Sequence, residues 1–258
     1  MIMDELSLDG KKCILAGASR GLGREMALAL AEAGGDVAVV SRRLPLLDAL
    51  AEEIRELGRE AIAIEADLCK LPEIENMVGR VVEAFGRIDV LVYNAALILR
   101  MPSEDYTEDY WDRVMDVNLK GLFFCCQYVA REMIKRRRGK IITVSSIGCA
   151  VGIAQVPAYV ASKGGVRLLT QTLGVEWSKY NINVNSIAPG YSRTELSEPL
   201  YKDERRREII RSRIPMGRWG ETRDFKGITV FLASDASDYI TGQTIFVDGG
   251  WTSGFSWE

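Results

Sequence analysis

Histidine is absent from the 258 residues of the chain. Catalysis by a Ser–His pair, a histidine base or a histidine-bound metal is therefore excluded. The five cysteines form no Cys-x-x-Cys pair and no zinc spacing, which favours reduced thiols in a cytoplasmic protein. We accordingly predict no metal site.

Long apolar runs and an excess of basic charge are also missing. No stretch approaches about 18 uninterrupted apolar residues, and the N-terminal sequence has no apolar signal region. The formal net charge is -3, and the basic triplets at 136–138 and 205–207 lie in or at the end of helical patterns. These features argue against secretion, membrane spanning and nucleic-acid binding, and we expect a small-molecule ligand.

Strand-like and helix-like segments alternate along the chain. Apolar, mostly β-branched runs predict strands at residues 12–16, 37–40, 61–65, 90–93, 141–144, 183–187 and 244–247. One helical pattern follows the glycine turn that ends at residue 23 and extends to about residue 33, and others cover residues 45–57, 72–85, 107–137, 157–180 and 222–233. The alternation predicts an α/β fold, a doubly wound parallel sheet of about seven strands with helices on both faces. Residues 192–218 are polar and aperiodic, and we expect them to form a mobile substrate lid on a single domain of residues 1–258.

A glycine-rich turn follows the first predicted strand. Residues 17–23 read GASRGLG and lead into an Ala/Leu-rich helix. Glycines let the backbone approach a pyrophosphate, and the helix N-terminus offers free N–H groups and a positive dipole end. The spacing is Gly-x-x-x-Gly-x-Gly, and a plain strand-to-helix turn is the alternative. We interpret the turn as a dinucleotide phosphate site.

The second predicted strand ends at Ser41, Arg42 and Arg43, with no acid present. In dinucleotide-binding folds an acid at this point holds a free ribose 2′-hydroxyl, whereas an arginine accommodates a 2′-phosphate. Arg20 in the glycine turn adds a third cation. The pattern favours NADP(H) over NAD(H). The alternative is that Arg42 and Arg43 merely cap the turn before the next helix.

Polar residues stand after the third and fourth strands and inside one helix. Asp67 could accept a hydrogen bond from an adenine amino group or cap the following helix. Asn94 follows the fourth strand. Asn118 falls on the apolar face of helix 107–137, where its amide needs buried partners. It could kink the helix and hold a water molecule, or be satisfied by backbone groups.

The segment from residue 140 to residue 169 contains three candidate catalytic residues. Ser146 closes a predicted strand, and Tyr159 and Lys163 stand four residues apart, so they share one helix face. A free phenol has a pKa near ~10, and a nearby ammonium lowers it. The trio therefore suits proton transfer at a carbonyl or alcohol oxygen, although a buried tyrosine, a helix lysine and a strand-end serine are also ordinary structural residues.

Together these motifs resemble the short-chain dehydrogenase/reductase family over essentially the whole chain, which implies a Rossmann-type fold. The resemblance implies a catalytic tetrad of Asn118, Ser146, Tyr159 and Lys163. In it Tyr159 is the general acid or base, Lys163 lowers its pKa and holds the nicotinamide ribose, Ser146 orients the substrate oxygen, and Asn118 holds a water. The implied cofactor-binding residues are Gly17, Ser19, Arg20, Gly21, Leu22, Gly23, Ser41, Arg42, Arg43, Asp67, Leu68, Asn94, Ala95, Tyr159, Lys163, Pro189, Gly190 and Thr194.

Three residues depart from the family pattern. Ala16 replaces a threonine that braces the cofactor loop, and Tyr93 replaces an asparagine. Ala96 replaces a glycine near the cofactor, where a Cβ crowds the backbone approach. We expect these residues to tune cofactor affinity without abolishing it.

The predicted activity is an NADP(H)-dependent interconversion of a ketone and a secondary alcohol. The stretches IAPGYSRTEL and GRWGE are similar to gluconate 5-dehydrogenase-like members of the family, and less so to 3-oxoacyl-carrier-protein reductases. The alternatives are a non-catalytic dinucleotide-binding sensor or scaffold and an NAD(H)-preferring sugar-acid dehydrogenase. The family resemblance also suggests a homotetramer, or a homodimer.

Substrate contacts are expected from residues 96–101, 147–156 and the 192–218 segment. Arg100 or Arg193 could hold a substrate carboxylate, or both could be surface residues. The C-terminal aromatics Trp251, Phe255 and Trp257 are expected to pack against a neighbouring subunit or over the site.

Overall fold

A seven-stranded sheet lies at the centre of the computed structural model, which describes residues 1–254. Its strands are β1 (Lys12–Ala16), β2 (Asp36–Ser41), β3 (Ala61–Glu65), β4 (Val90–Tyr93), β5 (Gly139–Val144), β6 (Ile182–Pro189) and β7 (Thr244–Val247). All neighbouring strands pair in parallel, in the order β3-β2-β1-β4-β5-β6-β7. The predicted fold class is confirmed.

Helices connect the strands. They are α1 (Ile2–Leu6), α2 (Gly21–Glu32), α3 (Leu44–Glu56), α4 (Leu71–Phe85), α5 (Glu108–Met115), α6 (Gly121–Arg136), α7 (Pro157–Ser178), α8 (Glu198–Lys202), α9 (Glu204–Arg211) and α10 (Lys226–Ala233). The helix predicted over 107–137 is divided by a π-helical segment, Asp116–Lys120, and the one predicted over 222–233 begins with a 3₁₀ turn, Thr222–Phe225. The short helices α1, α8 and α9 were not predicted.

Burial on both faces explains why the central strands read as continuous apolar runs. Every residue of β4 and β5 is buried, as expected for a parallel sheet covered on both sides. One apolar cluster joins the sheet to α4, α6 and α7, through residues such as Met77, Val129 and Val166. A second cluster joins the opposite face to α2, α3 and α10. Among the described residues, no helix is both long enough and apolar enough to cross a membrane.

The strand order places a crevice beyond the carboxyl ends of β1 and β4. The sheet grows from β1 towards β2 and β3 on one side and towards β4 to β7 on the other, which makes this edge the topological switch point. Open parallel sheets bind ligands at such points. The sequence-predicted site residues follow these strand ends.

Candidate active site

The glycine turn after β1 packs directly against the end of β4. Gly17 has a φ of +90°, and a Cβ there would lie 2.5 Å from the backbone nitrogen of Ala95. A Cβ on Gly23 would lie 2.1 Å from the carbonyl oxygen of Gly17. Asn94 Nδ2 donates to that same carbonyl oxygen at 3.0 Å. Close backbone approach therefore requires glycine at both positions, which fits a phosphate-binding turn.

The N-terminus of α2 opens into the same turn. The helix begins at Gly21, and its N-cap residue Arg20 makes no side-chain cap. The first N–H groups of α2 are therefore left for an anion. A carboxylate oxygen of Glu195 lies against Gly21. The position of this acidic group agrees with the positive dipole end of the helix.

Ser41, Arg42 and Arg43 line the crevice at the end of β2. The Ser41 hydroxyl accepts a hydrogen bond from the backbone nitrogen of Arg43 at 3.1 Å, and Arg43 stands before α3 without a side-chain cap. Both guanidinium groups are exposed, and neither forms an ion pair or hydrogen bond with another described residue. The two cations are thus available to an anionic ligand.

Asp67 lines the crevice after β3, beside Leu68. Its Oδ1 accepts from the backbone nitrogen of Cys69 at 3.1 Å. The N-cap residue of α4 is Lys70, so Asp67 braces the loop and does not cap the helix. Its second carboxylate oxygen remains available to a ligand.

Asn118 lies in the π-helical segment and is fully buried. Its Oδ1 accepts from the backbone nitrogen of Leu97 at 2.7 Å, and its Nδ2 donates to the Leu97 carbonyl at 2.9 Å and to Ser162 Oγ at 3.0 Å. Ser162 in turn donates to the carbonyl of Tyr159 at 2.7 Å. The sequence left two outcomes open for this amide, a bound water or hydrogen bonds to backbone groups. In the structure protein groups satisfy the amide, which ties the loop after β4 to α7.

Ser146, Tyr159 and Lys163 meet at one end of the crevice. Ser146 follows β5, and its hydroxyl accepts from the backbone nitrogen of Gly148 at 3.1 Å. Lys163 is 1% exposed, and its Nζ donates to the carbonyl of Val144 at 2.7 Å. The same Nζ lies 5.7 Å from the centroid of the Tyr159 ring. The phenol and the amine thus reach this end of the crevice from α7, and the serine hydroxyl reaches it from the end of β5.

Burial has the largest effect on the pKa values of Tyr159 and Lys163. It raises the pKa of Tyr159, while the Ser146 hydroxyl and the Arg100 guanidinium lower it by less. Burial also lowers the pKa of Lys163 to about 8. Desolvation thus outweighs the charges around the phenol, and the lowering of the tyrosine pKa by Lys163 that the sequence suggested stays a prediction. At neutral pH the phenol is therefore protonated and can donate a proton.

A cavity of about 320 Å³ connects the phosphate turn to this trio. Its walls include every predicted cofactor-binding residue except Gly23, and every predicted catalytic residue except Asn118, which stands behind the wall. The three predicted substrate segments all contribute to the wall: the first with Ala96, Ile98 and Arg100, the second with Ile147 and Ile153, and the third with Ser192, Thr194, Glu195, Leu196, Ser197 and Leu200. Arg193 is absent from the wall, and its guanidinium lies 4.9 Å from the ring centroid of Tyr201.

Tyr93 and Ala96, two of the departures from the family pattern, differ in their position relative to the cavity. Tyr93 points away from the cavity into the core, where its hydroxyl donates to the carbonyl of Val117 at 2.9 Å. Ala96 lies on the cavity wall and is exposed. Of these two residues, only Ala96 can contact a ligand directly.

Tyr191 is a wall residue that the sequence did not single out. It follows Gly190 directly, and its place after the end of β6 was the available signal. Its ring packs edge-on against Trp251, with centroids 4.9 Å apart, and against Trp219 at 5.6 Å. Trp251 therefore packs beside the site, as one of the two expectations had it. Phe255 and Trp257 lie outside the described residues.

The residues present fit a bound dinucleotide. The turn leaves no room for a Cβ at Gly17 or Gly23, the N-terminus of α2 lacks a side-chain cap, and unpaired arginines stand where a ribose phosphate would lie. Within the described part of the chain, no cluster of three histidine, cysteine or acidic side chains could hold a metal ion.

Comparison with known proteins identifies close relatives. A family model described as enoyl-(acyl carrier protein) reductase matches residues 17–252. The chain is 45% identical over 252 residues to the 2-dehydro-3-deoxy-D-gluconate 5-dehydrogenase of Escherichia coli (strain K12), covering 97% of this chain and 99% of the relative. It is 42% identical over 246 residues to a 3-oxoacyl-[acyl-carrier-protein] reductase of Staphylococcus epidermidis, covering 93% and 98%.

A solved structure shares the fold closely. The gluconate 5-dehydrogenase of Burkholderia cenocepacia, in complex with NADP and tartrate, superposes with a TM-score of 0.95 at 37% identity, covering 98% of this chain and all of that one. Both the sequence relatives and this structure extend over nearly the full chain.

Proposed function

The chain belongs to the short-chain dehydrogenase/reductase family and is an oxidoreductase of the nicotinamide-dependent kind, and we propose that it interconverts a ketone and a secondary alcohol with NADP(H). The observation that carries the proposal is the meeting of Ser146, Tyr159 and Lys163 at one end of a cavity whose other end is lined by Arg42. A screen of hydroxy acids and ketones that follows the absorbance of the reduced nicotinamide tests it.

The catalytic roles follow from the surroundings of each group. A bound nicotinamide would supply the hydride for reduction or accept it in oxidation. In reduction the phenol of Tyr159 gives its proton to the carbonyl oxygen as the carbon receives the hydride; in oxidation the proton returns. The Ser146 hydroxyl orients that oxygen. Lys163 donates one of its three N–H groups to the carbonyl of Val144, and the other two remain available to the ligand.

Asn118 acts through positioning in this proposal. Its side chain holds Leu97 and Ser162 together, and Ser162 bonds the backbone of Tyr159. The amide thereby fixes the part of α7 that presents the phenol. The water-holding role implied by the family resemblance stays a prediction.

NADP(H) preference is expected to depend on Arg42. In the variant Arg42→Ala, NADPH affinity should fall about 10- to 100-fold, because a hydrogen-bonded charge pair is worth roughly 1.5–3 kcal/mol, and NADH affinity should change little. Fluorescence titration with both cofactors measures this. Arg80→Ala is the matched control, because Arg80 is exposed on α4 and away from the cavity. Equal losses for NADPH and NADH would remove the 2′-phosphate role.

The substrate class that we propose is an acyclic sugar acid. The support comes from relatives named for gluconate and deoxygluconate, one of them 45% identical over nearly the whole chain. Arg100 on the cavity wall, close enough to affect Tyr159, makes this end of the site cationic. A negative charge on the substrate would complement it.

A homotetramer, or at least a homodimer, is our proposal for the assembly. On α7, Leu168 is 64% exposed and Val175 is 75% exposed, and their spacing places both on one helix face. A second copy would cover them. A monomer in light scattering at working concentration would contradict this. Three expectations stay predictions: that residues 192–218 act as a lid, that the chain is a single domain, and that the protein is cytoplasmic.

A further inference from the structure

A second cavity, of about 270 Å³, adjoins the first. Ile147, Ile153 and Tyr191 line both cavities. Ile147 follows Ser146 directly in the chain, so the shared wall begins next to the proposed reacting centre. The two cavities therefore lie side by side, and they adjoin near the proposed reacting centre.

Most of the side chains that line the second cavity are apolar. Beyond the shared residues the walls comprise small and aliphatic side chains, the indole of Trp251 and one charged residue, Arg213. Ligand sites commonly combine such walls with one or two polar groups that fix orientation. Methylene carbons fit aliphatic side chains such as Val151 and Ile209 better than hydroxyl-bearing carbons do, because contact between apolar groups removes apolar surface from water.

Arg213 is exposed at this cavity and forms no side-chain hydrogen bond or ion pair within the part of the chain that is described. Its neighbours differ: Arg207 and Arg211 pair with Glu208, and Arg218 pairs with Asp224. Arg213 lines the second cavity, whereas Arg100 lines the first, which also contains Tyr159. Both guanidinium groups lower the pKa of Tyr191, whose ring lies on the wall shared by the two cavities, against the opposing effect of burial.

We propose that the second cavity binds the end of the substrate remote from the reacting carbon, that Arg213 holds a carboxylate there, and that the aliphatic side chains of the wall favour a methylene carbon near that carboxylate. The inference rests on the proposed function and adds the specificity determinant to it. Guanidinium and carboxylate form paired, charge-assisted hydrogen bonds. Because Arg213 lies just beyond α9, the same contact ties the 192–218 segment to the substrate.

Steady-state kinetics with NADP⁺ and 2-dehydro-3-deoxy-D-gluconate test the role of Arg213. Arg213→Gln should raise KM about 10- to 100-fold, with kcat and the dissociation constant of NADP⁺ nearly unchanged. Arg213→Lys should restore part of the affinity as a point charge. Arg205→Gln is the matched control and should behave as the wild type, since Arg205 is an exposed arginine of α9 that lines neither cavity.

The wall chemistry is tested with D-gluconate as the second substrate. D-gluconate carries hydroxyl groups at C2 and C3, where 2-dehydro-3-deoxy-D-gluconate has a carbonyl and a methylene, and the wild type should prefer the latter acid by about tenfold in kcat/KM. Ile209→Ser should reduce that preference, because it places a hydroxyl on the wall. Ile209 is 45% exposed, so folding should tolerate the change.

Three results would overturn the inference: KM unchanged in Arg213→Gln, an increase in KM found in Arg100→Gln and absent from Arg213→Gln, or a preference for D-gluconate. Each of these leaves the oxidoreductase activity intact. Failure of the proposed function looks different, because the wild type would then reduce NADP⁺ with neither acid.

Discussion

Replacement of Tyr159 by phenylalanine is expected to lower kcat about 10²- to 10⁴-fold, the range that one general acid or base contributes. The phenol is buried beside Ser146 and Lys163, and the ring alone cannot donate a proton. NADPH affinity should be nearly unchanged, because the packing of the ring survives the loss of one oxygen. Stopped-flow kinetics and a cofactor titration on the same preparation measure both quantities.

Tyr191→Phe is the control for that experiment. Tyr191 lines the same cavity and is half-buried, but its ring packs against Trp219 and Trp251 and not beside the amine of Lys163. Its loss should reduce kcat far less than the loss of Tyr159. Comparable effects of the two variants, or full turnover in Tyr159→Phe, would remove Tyr159 from the proposed mechanism.

Substitution of Gly23 by alanine is expected to weaken NADPH and NADH alike by roughly 100-fold. The new Cβ would lie 2.1 Å from the Gly17 carbonyl oxygen and 2.5 Å from Asn94 Nδ2. Relief requires movement of the backbone that forms the phosphate turn, and overpacking of this kind costs about 1–3 kcal/mol. Titration with both cofactors should show equal losses, in contrast to Arg42→Ala.

Gly79→Ala is the matched control for the glycine variant. Gly79 lies on the exposed side of α4, and a Cβ there meets no atom within 4 Å. Alanine should stabilise the helix by up to about 1 kcal/mol and leave cofactor affinity unchanged. Wild-type cofactor affinity in Gly23→Ala, with thermal unfolding like that of Gly79→Ala, would show that the turn does not need a glycine at position 23.

The strands were predictable because apolar runs ended by glycine, proline or polar residues carry their own boundaries. The bounds of β3 and β4 agree with the prediction, whereas β6 continues to Pro189, because Pro189 still pairs with Val247 of β7. Such an extension depends on a partner strand far away in sequence. The alternation of elements then determined which residues reach the switch point.

The interior of the 107–137 helix was not predictable in the same way. Apolar periodicity continues through the π-helical segment, so the change in hydrogen bonding has no local signature. The partners of Asn118, Leu97 and Ser162, lie 21 and 44 residues away. The sequence could therefore place a buried amide there and leave two outcomes open.

The substrate end of the site depended most on tertiary packing. Arg213 belongs to a polar segment without periodicity, and its position is determined by Ile210, Ile214 and Trp219, which form an apolar cluster with Tyr191 and Trp251. No pattern within the segment predicts that cluster. Tyr159 and Lys163 were found easily because one helix carries both, but the balance of burial and charge that sets their pKa values required the surrounding structure.

The buried amine of Lys163 on the Val144 carbonyl has a practical consequence in a chain without imidazole. Histidine usually dominates proton exchange near neutrality, and that background is missing here. Calorimetric titrations of cofactor in buffers of different ionisation enthalpy count the protons exchanged on binding. Near pH 8 that count includes the proton exchanged by this amine, without any isotope label or reporter group.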